Sequence, residues 1–430
     1  MKLFDWQAKC LEKLQGSDKP HAILADPGTG KTLVAMLLAR NTNQHLIVVA
    51  PNRVHSQWKT EAKKFFNDDG FLTTFYYEQI RTEKGKTELK KTLQENDCLL
   101  VLDESHRIKN HKTQTYKICK AAGKLAKRKL ILTGSPVANS PADLWSQIAF
   151  LVGEDGIEKY NDFCDKYIEF LPPNHPLVRS LPGRPRIVAR SKDGKVITKN
   201  LGELKERLSA WSTQVKSAEC RDLPDTTFTI VDCKLGSELR KAYNDLEENF
   251  MLQLKDGNLL TVENVVSLLT RLSMLVSGIP SAEAGAMYEH PKIKPLIELL
   301  NIHEGVPAIV WTRWKEEHNS IAKALSDKNI NWTNDPIKFQ EGYGDVFLSS
   351  PAKGGTGLNL TRAKMQIWVS RSWSIIERTQ ALARNDRAGQ DAKHLHVYEL
   401  VAKNTVDERI MQALNDKEDL LNSILTKKKI

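Results

Sequence analysis

Residues Ala25-Asp26-Pro27-Gly28-Thr29-Gly30-Lys31-Thr32 join an apolar run, His21–Ala25, to a second apolar stretch with helical character, Leu33–Ala39. A buried strand, a tight glycine-rich turn and a helix N-terminus in that order leave few folds open. Such a turn gathers backbone N–H groups around an anion. Gly28, Thr29 and Gly30 would form the cradle, Lys31 would reach the β- and γ-phosphates of a nucleotide, and the Thr32 hydroxyl would hold Mg²⁺. The strict form of the pattern has Gly where Ala25 stands, so this is a variant, and a plain surface turn is the alternative.

The surrounding rhythm favours the first reading. Ala22–Ala25, Leu46–Ala50, Cys98–Leu102 and Leu130–Leu132 read as buried parallel strands with helical segments between them. The rhythm returns after about residue 290 in Ala308–Trp311, Val346–Ser349, Gln366–Val369 and Leu395–Leu400. The expected fold is α/β, with two doubly wound parallel-sheet lobes. Residues 1–150 form the first lobe, 151–225 an inserted basic, proline-containing region, and 226–430 the second lobe with a helical insertion at about 236–285. In the inserted region, Asp193-Gly194 separates Arg186–Ser191 from Lys195–Thr198, and a two-residue turn there predicts a β-hairpin over 186–198. Between Arg179 and Lys199 seven Lys or Arg residues stand against one acid.

Two further groups carry chemistry. Asp103-Glu104 follows the Cys98–Leu102 run, and a carboxylate at the end of a buried parallel strand can hold Mg²⁺ while its neighbour deprotonates an attacking water. Arg384 and Arg387 share a three-residue spacing that predicts one helix face. Arginines supplied from a second lobe can stabilise a phosphoryl transition state. Solvated acids and an ordinary charged helix face are the alternatives.

Charge adds a partner. Lys and Arg number 63 against 53 Asp and Glu, a formal surplus of +10, which suits a polyanion. The six cysteines are scattered without a C-x-x-C pair, against a zinc or disulfide framework and in favour of a reducing compartment. Met1–Cys10 lacks the apolar stretch of a signal peptide, and no run could span a bilayer. These features predict a cytoplasmic chain without a membrane partner.

The ordered motifs resemble the Swi/Snf-type family of superfamily 2 DNA translocases, from Gln7 to about Ile410. Leu46–Pro51 with Gln57-Trp58 and Glu61 is similar to that family's motif Ia region. Asp103-Glu104-Ser105-His106 with the extension Arg107-Ile108-Lys109-Asn110 resembles its motif II, and Leu132–Pro136 with Asn139 and Leu144-Trp145 its motif III. Ser349 through Gly354–Leu360 resembles motif V, and the Arg384/Arg387 segment motif VI. The resemblance implies two RecA-like lobes, ATP and Mg²⁺ as cofactors, and DNA as partner. Gln7 would read adenine; Lys31, Thr32, Asp103 and Glu104 would bind and hydrolyse ATP–Mg²⁺, with Gly357 also on the nucleotide. Arg387 would be the arginine finger with Arg384 beside it, and Thr133 and Ser135 would transmit nucleotide state. Pro51, Asn52, Arg53, Thr312, Arg313, Ser349, Gly354, Gly355 and Thr356 would line the DNA backbone groove, through phosphate and sugar and without sequence readout. Trp58 and Trp373 read as core aromatics.

A finer likeness, in Tyr160–Cys164, Asn200–Lys205 and Leu223-Pro224, points to the fork-remodelling, strand-annealing branch. Thr213-Gln214 departs from it, standing where that branch has paired arginines. The stretch from Thr312 to Val346 is also shorter. The compact length suggests a minimal phage or bacterial member, and a monomer is expected. Three functions stay open: a helicase or branch-migration enzyme for duplex, forked or branched DNA, with Arg186 and Arg190 on a wedge hairpin; a duplex translocase that does not separate strands; and a nucleotide-switched DNA-binding module. A solvated basic loop is the alternative to the wedge.

Overall fold

The structure is a computed structural model that describes residues 3–180, 183–191, 194–220, 224–255, 262–279, 288–354, 359–387 and 390–425. Contacts divide the chain into two units, residues 1–222 with 416–430, and residues 223–415. Residues 151–220 thus group with the first unit, and residues 416–425 return to it.

The first unit is built on six strands: β1 (His21–Ala25), β2 (His45–Ala50), β3 (Leu72–Tyr76), β4 (Cys98–Asp103), β5 (Arg128–Thr133) and β6 (Ser212–Val215). Their order is β3-β2-β4-β5-β1-β6, and every pairing is parallel. β1 and β4 are buried along their whole length. This explains their unbroken apolar sequences, because helices cover both faces of a parallel sheet. Val48, Leu99 and Val101 face one packed layer and Ile47, Leu100 and Leu102 the other. Each fully buried aliphatic side chain stabilises the unit by about 1.5–3 kcal/mol.

The second unit repeats the plan with β7 (Asp225–Cys233), β8 (Ala308–Trp311), β9 (Trp332–Thr333), β10 (Val346–Ser349), β11 (Met365–Trp368) and β12 (His394–Ala402). The order is β7-β12-β11-β8-β10-β9, again parallel throughout. The fold is α/β with two doubly wound parallel sheets. All eight strands expected from the sequence are present. The four the sequence reading did not specify are the edge strands β3, β6, β7 and β9, where apolar content is diluted. β7 shows the reason, with Phe228 and Ile230 more than half exposed. Helices Ser237–Lys255 and Val262–Val276 occupy the expected helical insertion.

The hairpin over 186–198 forms, with Arg190 opposite Val196 and a third segment beside it, through Ile168 opposite Thr198 and Phe170 opposite Val188. The Ser191 N–H donates to Lys195 O at 2.9 Å, and Gly194 holds φ +83°, the left-handed region that hairpin glycines occupy. Asp193, Gly355, Thr356, Gly357, Leu358, Leu223, Gly389 and the Lys427–Lys429 tail lie outside the described residues. Among the described residues no helix is long and apolar enough to cross a membrane.

Candidate nucleotide site and nucleic-acid interface

A parallel sheet delivers all its strand carboxyl ends to one edge, where α/β folds bind ligands. In the first unit β1 ends in the glycine-rich turn, β2 in Pro51, β4 in Asp103 and β5 in Thr133.

The turn is shaped as the sequence requires. Gly28 and Gly30 hold φ of +80° and +82°, a region costly for side-chain-bearing residues. Gly30 caps the helix Lys31–Asn41, and a Cβ added to it would come within 2.5 Å of Gln7 Nε2. Gln7 is buried there, donating to Gly30 O at 3.1 Å while its Oε1 accepts the Phe4 N–H at 2.9 Å. Lys31 is buried with Nζ 3.4 Å from Ala25 O. Thr29 Oγ1 donates to Asp26 O at 2.8 Å, and Asp26 Oδ2 accepts the Ser217 N–H at 2.9 Å. The turn is therefore braced from the Gln7 and Ser217 sides.

Asp103 is buried with both carboxylate oxygens held. Trp58 Nε1–H donates to Oδ2 at 3.0 Å and the Glu104 N–H to Oδ1 at 2.9 Å. Tyr77 Oη donates to the Asp103 carbonyl at 2.8 Å. Burial, then the Glu104 charge, push the Asp103 carboxyl up to about 6, against the pull of Lys31 and the Trp58 bond. An acid so disfavoured as an anion is suited to a cation. Glu104 takes φ +50°, a left-handed conformation uncommon outside glycine. His106 Nδ1 lies 3.3 Å from Glu104 Oε2 and 3.3 Å from Thr133 Oγ1. Thr133 Oγ1 accepts the Ser135 N–H at 3.1 Å. Ser105 Oγ donates to Gln147 at 2.8 Å, whose amide holds Pro136 O at 2.7 Å. The acids and the loop after β5 are thus one bonded chain. A phosphate cradle, an amine, a hydroxyl at Thr32 and a carboxylate short of positive charge fit a nucleotide with Mg²⁺.

One sequence reading is extended here. Trp58 is a core aromatic as expected, but it is also a ligand of the acid. Nothing in its local sequence signals that bond, which spans 45 residues. Asn52 and Arg53 are exposed in the first turn of the helix Asn52–Phe66, capped by buried Pro51.

In the second unit, Thr312 and Arg313 follow β8 and Ser349 ends β10, with the Thr312 N–H donating to Ser349 O at 3.0 Å. They border one open cavity of about 450 Å³ with Trp314, His318 and Lys353. The Arg313 guanidinium lies 4.4 Å from the Trp314 ring centroid. Gly354 closes the short helix Pro351–Gly354 next to it in sequence.

The arginines depart from the expected helix face. The helix Ile375–Leu382 ends before them, so Arg384 and Arg387 occupy a turn. Buried Asn385 holds it, accepting from Gln366 Nε2 at 2.5 Å and donating to Ala363 O at 3.2 Å. Arg384 is buried, and Arg387 is half-buried with Nε donating to Ala383 O at 2.8 Å. Trp373 is half-buried rather than core.

The hairpin's cations are largely spoken for. Arg186 pairs with Asp165 and stacks 4.0 Å from the Phe170 centroid. Lys195 lies 3.1 Å from Asp416, and Lys199 lies 3.2 Å from Glu169. Arg190 Nη1 donates to Gly194 O at 2.8 Å.

The SNF2-related domain family matches residues 77–277, and the family described as type III restriction enzyme, res subunit, matches residues 1–137. An uncharacterized ATP-dependent helicase of Mycoplasma genitalium is 24% identical over 94% of this chain and 40% of its own length. The DNA annealing helicase and endonuclease ZRANB3 of Homo sapiens is 23% identical over 94% of this chain and 38% of its own. The chain spans about two fifths of the length of these curated relatives. A solved structure, the Sulfolobus solfataricus SWI2/SNF2 ATPase core in complex with dsDNA, is 20% identical over 99% of this chain and 97% of that one, with a TM-score of 0.41.

Proposed function

We propose, from the match of residues 77–277 to the SNF2-related domain family and from the geometry at the first unit's sheet edge, that this chain is an ATP-dependent DNA motor. It hydrolyses ATP in the first unit and grips duplex or branched DNA through phosphate contacts. The observation that carries this reading is the convergence at one sheet edge of the Lys31 turn, the doubly held Asp103 and the Glu104–His106–Thr133 chain.

Gln7 takes the adenine edge, and the Gly28–Thr32 turn and Lys31 take the phosphates. Thr32 and Asp103 hold Mg²⁺, which when bound offsets phosphate charge during transfer. Glu104 accepts a proton from the attacking water, and its link through His106 carries the change to Thr133 and Ser135. Arg387 and Arg384 complete the transition state's charge. Pro51–Arg53 in the first unit, and Thr312, Arg313, Ser349, Gly354, Gly355 and Thr356 in the second, contact the DNA backbone, so affinity falls steeply with salt. ATP turnover measured without nucleic acid, then with single-stranded, duplex and forked DNA and RNA, tests this. Stimulation by duplex or forked DNA that Lys31→Ala abolishes is the expected result. Equal turnover in every condition leaves a nucleotide switch as the better account.

A second reading, translocation along duplex without strand separation, is favoured by one observation. Arg186, Lys195 and Lys199 are paired with Asp165, Asp416 and Glu169, which suits a brace better than a wedge. Likeness to the annealing branch supports fork remodelling instead. Unwinding of forked DNA that is lost when residues 186–198 are deleted would decide for the wedge.

A further inference from the structure

Glu317 is a fully buried carboxylate in the second unit, at the third position of the helix Lys315–Asp327. A glutamate there ordinarily caps its own helix at the surface, satisfying one N–H of the first turn. Here that contact is the longest of its hydrogen bonds, with the Trp314 N–H 3.5 Å from Oε2. The shorter bonds go elsewhere. Oε2 accepts the Arg313 N–H at 3.0 Å and the Ser370 hydroxyl at 2.5 Å. Ser370 Oγ in turn accepts the same Arg313 N–H at 2.8 Å. His290 Nε2 stands 3.6 Å from Oε1 on the other side, and His290 is itself buried.

Burying a carboxylate is costly unless its oxygens are well matched. Capping one helix does not require it, since an exposed glutamate would serve. What burial adds is a tie between the turn after β8, which carries Arg313, and the turn after β11, which carries Ser370. Both leave the strand edge where ligands bind in such sheets. With its backbone N–H held twice and its guanidinium against Trp314, Arg313 is fixed at the rim of the cavity that Thr312 and Ser349 share.

We propose that Glu317 is a positioning residue for the nucleic-acid grip: with Ser370 and His290 it presets the Arg313 turn to meet a phosphodiester. This rests on the reading of Thr312, Arg313 and Ser349 as backbone contacts.

The test uses the full chain and a fluorescent 30-base-pair duplex at fixed salt, following anisotropy and duplex-stimulated ATP turnover. Wild type, Glu317→Met, Glu317→Gln and Arg313→Ala are compared, with thermal melting of each. Glu317→Met is expected to raise the duplex concentration at half-maximal binding roughly tenfold, and to move the stimulation midpoint more than its plateau. Glu317→Gln, which keeps an acceptor oxygen for the Arg313 N–H, is expected to recover most of the affinity even where both variants melt lower. Two outcomes overturn the proposal: Glu317→Met binding duplex like wild type while Arg313→Ala loses it, or Glu317→Gln failing as fully as Glu317→Met. Wild type and Arg313→Ala binding duplex equally would instead remove the backbone-contact reading on which the proposal stands.

Discussion

The two units share a plan, six parallel strands with polar loops at the carboxyl edge, yet the acid at the first unit's edge and the buried ions of the second are held in opposite ways. In the first, the Asp103 carboxyl is held by neutral donors and crowded by Glu104, so that burial lifts it to about 6. In the second, buried ions meet opposite ions. Lys292 lies 2.6 Å from Asp407, and Arg378 lies 2.5 Å from Glu399 with Arg371 at 3.8 Å. Unmatched charge leaves a demand that a ligand can fill, whereas matched charge fixes loops. The Asp103 edge thus has an acid open to a cation, while the second unit's buried pairs hold loops together.

The largest expected effect breaks the matched side. Lys292 is wholly buried and also donates to Val369 O at 2.8 Å. Lys292→Met strands Asp407 and is expected to destabilise the second unit by about 3–5 kcal/mol. Denaturant-dependent hydrogen exchange resolved by unit would read this, and Lys292→Met combined with Asp407→Asn should recover part of the loss. Unchanged exchange in residues 288–354 would mean the pair is not structural.

Acid should act first on the other side. Burial, then Lys13, lower the His21 imidazole to about 4, beside Thr213 at 2.9 Å. The unfolded chain takes up this proton as pH falls through about 6.5, the folded chain only near 4. Stability is therefore complete above 6.5 and lost progressively between 6.5 and 4, by roughly 3 kcal/mol for this group. Exchange along β1 and β6 should accelerate across that window, and His21→Asn should flatten the response. An unaltered profile in His21→Asn would assign the acid sensitivity elsewhere.

The smallest effect sharpens the unmatched side. Trp58→Phe keeps most of the packing but removes the N–H donor to Asp103. A hydrogen bond to a charged group contributes about 1.5–3 kcal/mol, so the Mg²⁺ concentration needed for fluorescent-nucleotide binding should shift by roughly tenfold or more. A shift in nucleotide affinity that is independent of Mg²⁺ would place Trp58 in packing alone.

Legibility followed physical range. The eight buried strands were readable because a strand covered on both faces must be apolar along its length, as in β4. Edge strands such as β7 relax that demand and passed unread. Lys31, Asp103 and Glu104 stood out in the sequence because each sits directly beside a strand end or a glycine-rich turn, and the structure places them at one sheet edge. The Trp58–Asp103 bond, the Glu317 tie and the Lys292–Asp407 pair join residues 45, 53 and 115 positions apart, which no local pattern encodes. The arginine spacing misled for a related reason: three residues fit a helix face, but the buried bonds of Asn385 to Gln366 and Ala363 hold a turn instead.

The sequence by itself determined the strand–turn–helix cradle, the parallel α/β class and the identity of the catalytic candidates, since each depends on neighbours along the chain. Only the tertiary structure decided which charges are neutralised. The hairpin's Arg186 and Lys195 read as a basic strip until Asp165 and Asp416 stand beside them. Whether a buried acid is poised or paired depends equally on which loops the sheet brings together at its edge. Electrostatic energy falls with distance in space, not along the chain, so composition alone could count these charges but not match them.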